Sequence, residues 1–283
     1  MRYGLSMETR LDELLEANRN FDSLYDDALS NHLSMALIAL RAMGADDATL
    51  EAFFENYSKR LEPSLGRAAE RDVGEALSKL SLGVGASAFH GLIQTAYAIE
   101  HGHALDIACA LEVWERSYLP LGRSTSFVDA FDFELPKLSN IFLRMKHIAG
   151  LSAFRRQLSE GGDVDDSALI DFSVRGYFAT KGDFTALHLV TAVDAFLLIE
   201  ERYAMDRPAL VAALSAALLT IQKPLTSDEA PPATRSWDDL RREAAASPND
   251  HTIKLAYSCE RMAKRSGDDR YRSIVEHRLQ RAV

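Results

Sequence analysis

The sequence is poor in most of the residues that announce a function. Its 283 residues include two cysteines, Cys109 and Cys259, in helical-looking stretches without CxxC spacing. They read as buried thiols in a reducing compartment rather than as a disulfide framework. Positive charge is in deficit: Asp and Glu outnumber Lys and Arg 42 to 32, for a net charge of -10. Nothing compensates a phosphate backbone, so no nucleic-acid partner is expected. Apolar runs of membrane-span length are missing too. The longest, ALVAALSAALLTIQ over residues 209–222, is short and alanine-rich and reads as a buried helix. The N-terminal stretch MRYGLSMETRLDELLEANRN lacks the apolar core of a signal peptide and reads as a polar lead-in to a helix. These features predict a soluble, cytoplasmic protein.

The common catalytic motifs are absent as well. There is no GxSxG, no HExxH and no P-loop, and no serine sits in a sequence context that supplies a base. Gly83-Val-Gly85-Ala-Ser-Ala88 fits the dinucleotide pattern GxGxxA, but the preceding EALSKLSL reads as helix and nothing downstream alternates strand with helix. Neither NAD(P) nor flavin is expected, and the small residues are read as letting a loop pass close to the next helix.

The chain is rich instead in helix and in histidine. Hydrophobic residues make up 47% of it, enough for one large domain or two small ones. Apolar residues recur at three- and four-residue spacing over most of its length, which predicts an all-α fold. Four of the eight histidines open amphipathic stretches: His32 in HLSMALIALRAMG, His90 in HGLIQTAYAIEHG, His188 in HLVTAVDAFLLIEE and His251 in HTIKLAYSCERMAKRSG. Residues at i+3, i+4 and i+7 from His32, His90 and His188 share the histidine's helix face and are largely apolar, so each histidine is read as lying on the face that turns inward.

The first two stretches continue alike. GADDATLEAFFENYSKRLEP ends in Pro63 and GHALDIACALEVWERSYLP ends in Pro120, each reading as a turn, a second helix and a proline stop. The third continues more loosely to Pro224, and the fourth runs to the C-terminus without a proline. The histidines are 58, 98 and 63 residues apart, so the chain reads as weakly repeated helical hairpins. Residues 123–187, with Phe127, Phe131, Phe133, Phe142 and the turn GGDVDD, interrupt the pattern, as does 226–250, where Asn249 or Asp250 is expected to cap the next helix. Neither marks a domain boundary, and residues 1–283 are read as a single domain.

One histidine on an apolar face is usually a core residue. Four at the starts of inward-facing helices are what a helical protein needs to aim several imidazoles at one metal ion, and imidazole suits iron, zinc, copper and nickel. Gln94, Thr191 and Tyr257 share those faces as candidate acceptors for the second ring nitrogens. In His251-Thr-Ile-Lys254, the i, i+3 spacing places imidazole and amine on one face. A lysine beside a cation is repelled and desolvated, which lowers its pKa and lets it ligate or form a carbamate with carbon dioxide. The plainer reading is that Lys254 is solvated or pairs with an acid such as Asp250. His101 and His103 flank Gly102 at a helix end and suit a cap, while His147 and His277 have polar neighbours and read as exposed.

The stretches SNHLSMALIALRAMGA, AFHGLIQTAYAIEHG, ALHLVTAVDA and DHTIKLAYSCE together resemble the questin oxidase-like family, over about Asn20 to Glu260. The family's best-known members are fungal enzymes of aromatic polyketide metabolism, and shorter bacterial relatives are common. The resemblance implies a non-heme Fe(II) oxygenase using dioxygen on a phenolic or quinone substrate, with C–C or Baeyer–Villiger-type ring opening. It implies iron ligands at His32, His90, His188, His251 and a carboxylated Lys254, which would leave one open position on an octahedral ion. Two departures stand out. The chain is much shorter than the fungal enzymes, so their substrate is not transferred. Asp194 lies on the helix after His188 where many relatives carry a further histidine, and a carboxylate there would accept a hydrogen bond from behind a metal ligand or act as a substrate base. Two other classes stay open: a zinc metallohydrolase with a carbamylated lysine, and a non-catalytic helical repeat protein with scattered imidazoles.

Overall fold

In the computed structural model, the described residues are 9–25, 29–64, 69, 71–222 and 229–281. Among them the fold is mostly α: fourteen α-helices and a single two-stranded antiparallel ribbon. The lead-in helix α1 (Arg10–Asn18) is followed by the ribbon, β1 (Leu24–Tyr25) paired with β2 (Leu29–Ser30), and by α2 (Leu33–Ala42) and α3 (Asp47–Ser58). Helix α4 (Val73–Leu80) leads through a 3-10 turn at Ser81–Gly83 into α5 (His90–His101) and α6 (Ala104–Arg116). The aromatic-rich insertion holds α7 (Ile141–Gly150), α8 (Ser152–Gln157) and α9 (Asp166–Ala179). The chain ends with α10 (Phe184–Glu200), α11 (Arg207–Leu219), α12 (Trp237–Ala245), α13 (Asp250–Ser266) and α14 (Arg270–Gln280).

The expected hairpins are there. α2 packs on α3, α5 on α6, α10 on α11 and α13 on α14. The first helix of each hairpin carries one of the four histidines at or near its start. These four inner helices close a ring, because α2 touches α5 and α13, and α10 touches α5 and α13 as well. Ring closure explains the composition. Helix α10 is buried almost all round, from Thr185 to Ile199 apart from Leu198, so it shows no polar stripe. Helix α2 is buried without a break from Leu33 to Leu40. The partner of α2, α3, presents a wetter outer surface, whereas α11, the partner of α10, is itself buried from Ala209 to Leu219.

Turn chemistry sets the hairpin joints. Gly102 caps α5 at φ +83°, a left-handed conformation that glycine adopts without steric cost, and Gly44 turns at φ +92° after α2. Close approach within the second hairpin is set by Gly91, where an added Cβ would meet Trp114 at 2.8 Å. Pro63 and Pro120 lie a few residues beyond the ends of α3 and α6, as expected of proline stops, whereas Pro224 lies outside the described residues. Among the described residues, no helix is long and apolar enough to cross a membrane. The thiols are both free: Cys259 is buried, but Cys109 is only half-buried.

Candidate metal centre

Each of the four histidines is positioned by local backbone chemistry. His32 comes after the ribbon as the N-cap residue of α2; its N–H donates to the Tyr57 hydroxyl at 3.0 Å, and Asn31 Oδ1 accepts from Leu33 N–H at 2.9 Å. His90 is the first residue of α5, entered through three successive non-glycine residues with positive φ: Ser87 (45°), Ala88 (53°) and Phe89 (72°). A run of left-handed residues costs on the order of 1–3 kcal/mol each and persists only where the surroundings enforce it. The run turns the Ser87 carbonyl back onto His90 Nδ1. His188 does not open its helix. It lies one turn inside α10, which starts at Phe184 behind the N-cap Asp183, and its Nδ1 donates to the Phe184 carbonyl at 2.9 Å. His251 is in the first turn of α13, whose N-cap is Asn249; the Asn249 Oδ1 accepts from His251 N–H at 3.0 Å and Thr252 N–H at 3.2 Å.

The rings meet at one end of the helix ring. Centroids lie 4.4 Å apart for His32 and His90, 4.7 Å for His32 and His251, 5.0 Å for His90 and His188, and 5.4 Å for His188 and His251. His32, His90 and His251 offer nitrogens within 4.8 Å of one another. The imidazoles are gathered, as a metal centre requires, and not scattered over a repeat surface.

Every Nδ1 faces an oxygen. His32 Nδ1 is 2.6 Å and His251 Nδ1 3.0 Å from the same atom, Asp250 Oδ2, while His90 and His188 face the carbonyls already described. A proton on Nδ1 leaves the lone pair on Nε2. All four Nε2 atoms are buried and have no hydrogen-bond partner. Such orphaned atoms are rare, because burying a polar atom without a partner costs about 1–3 kcal/mol. Those of His32, His90 and His251 belong to the group close enough to hold one cation, with His188 beside it and outside that group, and imidazole donors suit a transition metal.

Electrostatics keep these rings neutral. Burial, then the charge of Lys254, pushes His32 down to about 3. Burial chiefly lowers His90, His188 and His251; neighbouring imidazoles and Lys254 add to it at His90 and His188, and Lys254 and Arg278 at His251. Lys254 is 3% exposed, and burial brings its amine down to about 8. Its Nζ is 3.7 Å from Asp250 Oδ2, so the acid that the plainer reading of the sequence gave it as a partner is its neighbour. Burial alone would raise the Asp250 carboxyl. Hydrogen bonds from His251 and His32 override that and hold it well below the usual carboxylate range.

Some expectations meet a different geometry. Gln94 donates to Ser34 at 3.4 Å, Thr191 bonds back to its own helix, and Tyr257 donates to Glu100 at 2.8 Å. The acceptors for the rings are Asp250 and two main-chain carbonyls instead. Asp194, expected to back a metal ligand or act as a substrate base, is 3% exposed and paired with Arg261, whose Nε donates to Oδ1 at 3.2 Å. It does not line the cavity beside the histidines. His101 closes α5 with Nε2 3.0 Å from Asp12, but His103 is an N-cap, its Nδ1 accepting from Asp106 N–H at 3.2 Å. His277 and His147 are half-buried rather than exposed, His277 against Tyr177. Gly83–Ala88 comes after a helix and contains no strand, and it is the loop that delivers His90.

The imidazoles form the floor of a cavity of about 670 Å³. Its walls include Tyr57, Arg60, Phe142, Arg144 and Phe184. Phe142 and Arg144 come from α7 in the insertion that interrupts the repeat, which the motif pattern alone did not connect with the site. Compared with known proteins, the chain matches no family model and no curated protein.

Proposed function

We propose that the chain is a mononuclear Fe(II)-dependent oxygenase of a phenolic or quinone-type aromatic, as its resemblance to the questin oxidase-like family implies. The observation that carries the metal part of this reading is the set of four buried, partnerless Nε2 atoms on a shared floor. His32, His90, His188 and His251 would hold the ion, with Lys254 as the fifth donor once carboxylated. A lysine at about 8 has an appreciable neutral fraction near neutral pH, which is the form that reacts with carbon dioxide. The metal would supply the redox and Lewis-acid chemistry that oxygenation requires.

The protein's own residues do the rest. Asp250 and the carbonyls of Ser87 and Phe184 hold the Nδ1 protons and so keep each donor nitrogen aimed inward. The aromatic walls, Phe184 among them, suit a flat ring. Two free thiols agree with a reducing cytoplasm.

Elemental analysis of protein made without chelating tags tests the reading. About one equivalent of iron is expected, lost in His90→Ala. Stoichiometric zinc with no oxygen consumption would turn the assignment to a metallohydrolase, and full metal loading in His90→Ala would remove the four-histidine centre.

A further inference from the structure

We propose that the substrate of this cavity is an aryl carboxylate and that Arg144 is the residue that meets its charge. The inference rests on the functional reading above only in taking the occupant to be an aromatic small molecule; it does not depend on which metal, if any, is bound.

The cavity wall carries two guanidinium groups, Arg60 and Arg144, in a protein of net charge -10. Their situations differ. Arg60 is largely committed, stacked 3.5 Å from the Tyr57 ring centroid with Nη2 3.5 Å from Asp250 Oδ1. Arg144 donates from Nε to the Leu138 carbonyl at 3.2 Å, which fixes the guanidinium plane. Among the described residues it has no carboxylate partner, so its terminal nitrogens keep their donors for a ligand. A guanidinium edge pairs with a planar carboxylate through two parallel hydrogen bonds.

The acids in the wall do not offset this. Asp250 is held by His32, His251 and Lys254, and Asp183 accepts from Thr185 N–H at 2.9 Å as the N-cap of α10. The backbone adds potential of the same sign. Helices α5, α7, α10 and α13 start at residues that line the cavity, and α2 starts directly after one, His32, so five N-termini lie at its wall. Each brings the positive end of a helix dipole, which favours an anion. Phe142 and Phe184 supply apolar wall beside these charges, and Phe184 is 48% exposed, which leaves its ring available. A phosphate monoester, doubly charged, would call for more uncommitted cations than the wall holds. A neutral phenol would leave the ends of the half-buried Arg144 fork to solvent.

Calorimetric titration of the whole protein with 2-naphthoate and with its neutral isostere 2-naphthamide tests this, on metal-loaded and on chelator-stripped samples. The stripped protein is expected to bind naphthoate about tenfold more tightly than naphthamide, a difference cut to within about twofold in Arg144→Gln and partly kept in Arg144→Lys. Metal content of both variants should equal wild type, which separates this result from the fate of the metal assignment. Equal binding of the two ligands, no binding of naphthoate, or a preference that survives Arg144→Gln would overturn the proposal. A preference seen only in the metal-loaded protein would assign the anion to the metal and also overturn it. Should Arg144→Gln fold poorly, Arg144→Lys decides: naphthoate preference kept at the wild-type level by an ammonium, which has no fork, overturns the bidentate pair.

Discussion

Asp250 Oδ2 lies 2.6 Å from His32 Nδ1 across 218 residues of sequence, and the same oxygen lies 3.0 Å from His251 Nδ1. One carboxylate thus sets the tautomer of two rings on two inner helices, joining the first hairpin to the last. Asp250→Asn replaces a charged acceptor by an amide that can donate as easily as accept. Metal affinity, read by competition with a chelator of known affinity, is expected to fall about 10–100-fold. Unchanged affinity would show that the two rings are oriented without Asp250.

The second prediction concerns acid. His32 (about 3), His90, His188 and His251 all have folded pKa values below the ordinary 6.5. Below 6.5 the unfolded chain binds protons that the folded chain does not. Their contribution is therefore fully present above that pH and is lost as pH falls toward the folded values. Asp106, raised to about 7 by burial, and Asp194, also raised by burial, act in the opposite sense, two carboxyls against these four histidines and His277, which burial lowers as well. Melting temperature of the chelator-treated protein should drop steadily from pH 7 to pH 5. A flat profile would mean that the rings are not held neutral.

Gly91 is the third. A methyl group there would sit 2.8 Å from Trp114 Cα and Cβ, where the α5–α6 hairpin is tightest. Gly91→Ala should cost about 1–3 kcal/mol in stability. Because Gly91 comes directly after His90, the shift should also weaken metal binding. Wild-type stability with wild-type metal content would mean that the hairpin opens without cost.

The Asp194–Arg261 pair separates stability from the metal centre. Arg261→Ala leaves a carboxylate that is 3% exposed without its cation, which typically costs about 3–5 kcal/mol. The same protein should keep wild-type metal stoichiometry wherever it is folded, since Asp194 does not line the cavity. Loss of metal at temperatures well below the melting transition would tie this pair to the centre.

Much of this arrangement is legible from residues alone. Four histidines before helical faces, each leading a hairpin, carry enough periodicity to place the inner helices, and His251 with Lys254 marks a face by its spacing. The features that could not be read have physical reasons. The acceptors for His90 and His188 are carbonyls of Ser87 and Phe184, and every residue has a carbonyl, so no side-chain pattern identifies them. Gln94, Thr191 and Tyr257 share a helix face with a histidine, but a face extends over many ångströms and they bond to Ser34, to backbone and to Glu100. In the sequence His188 reads as the start of a stretch, although Phe184 and Leu187 before it are as apolar as the residues after it; the N-cap Asp183 sets the true start. Arg144 belongs to a segment without repeat character, and only tertiary packing brings α7 to the cavity. Asp250 was visible as a cap or a lysine partner, while its hold on His32 depends on the ring closing.

The most direct test of the central claim is anomalous diffraction at the iron edge, on crystals grown without chelators. A single strong peak bonded to Nε2 of His32, His90, His188 and His251 is the result expected. No peak on that floor in protein supplied with iron, or a metal held by other residues, would contradict it.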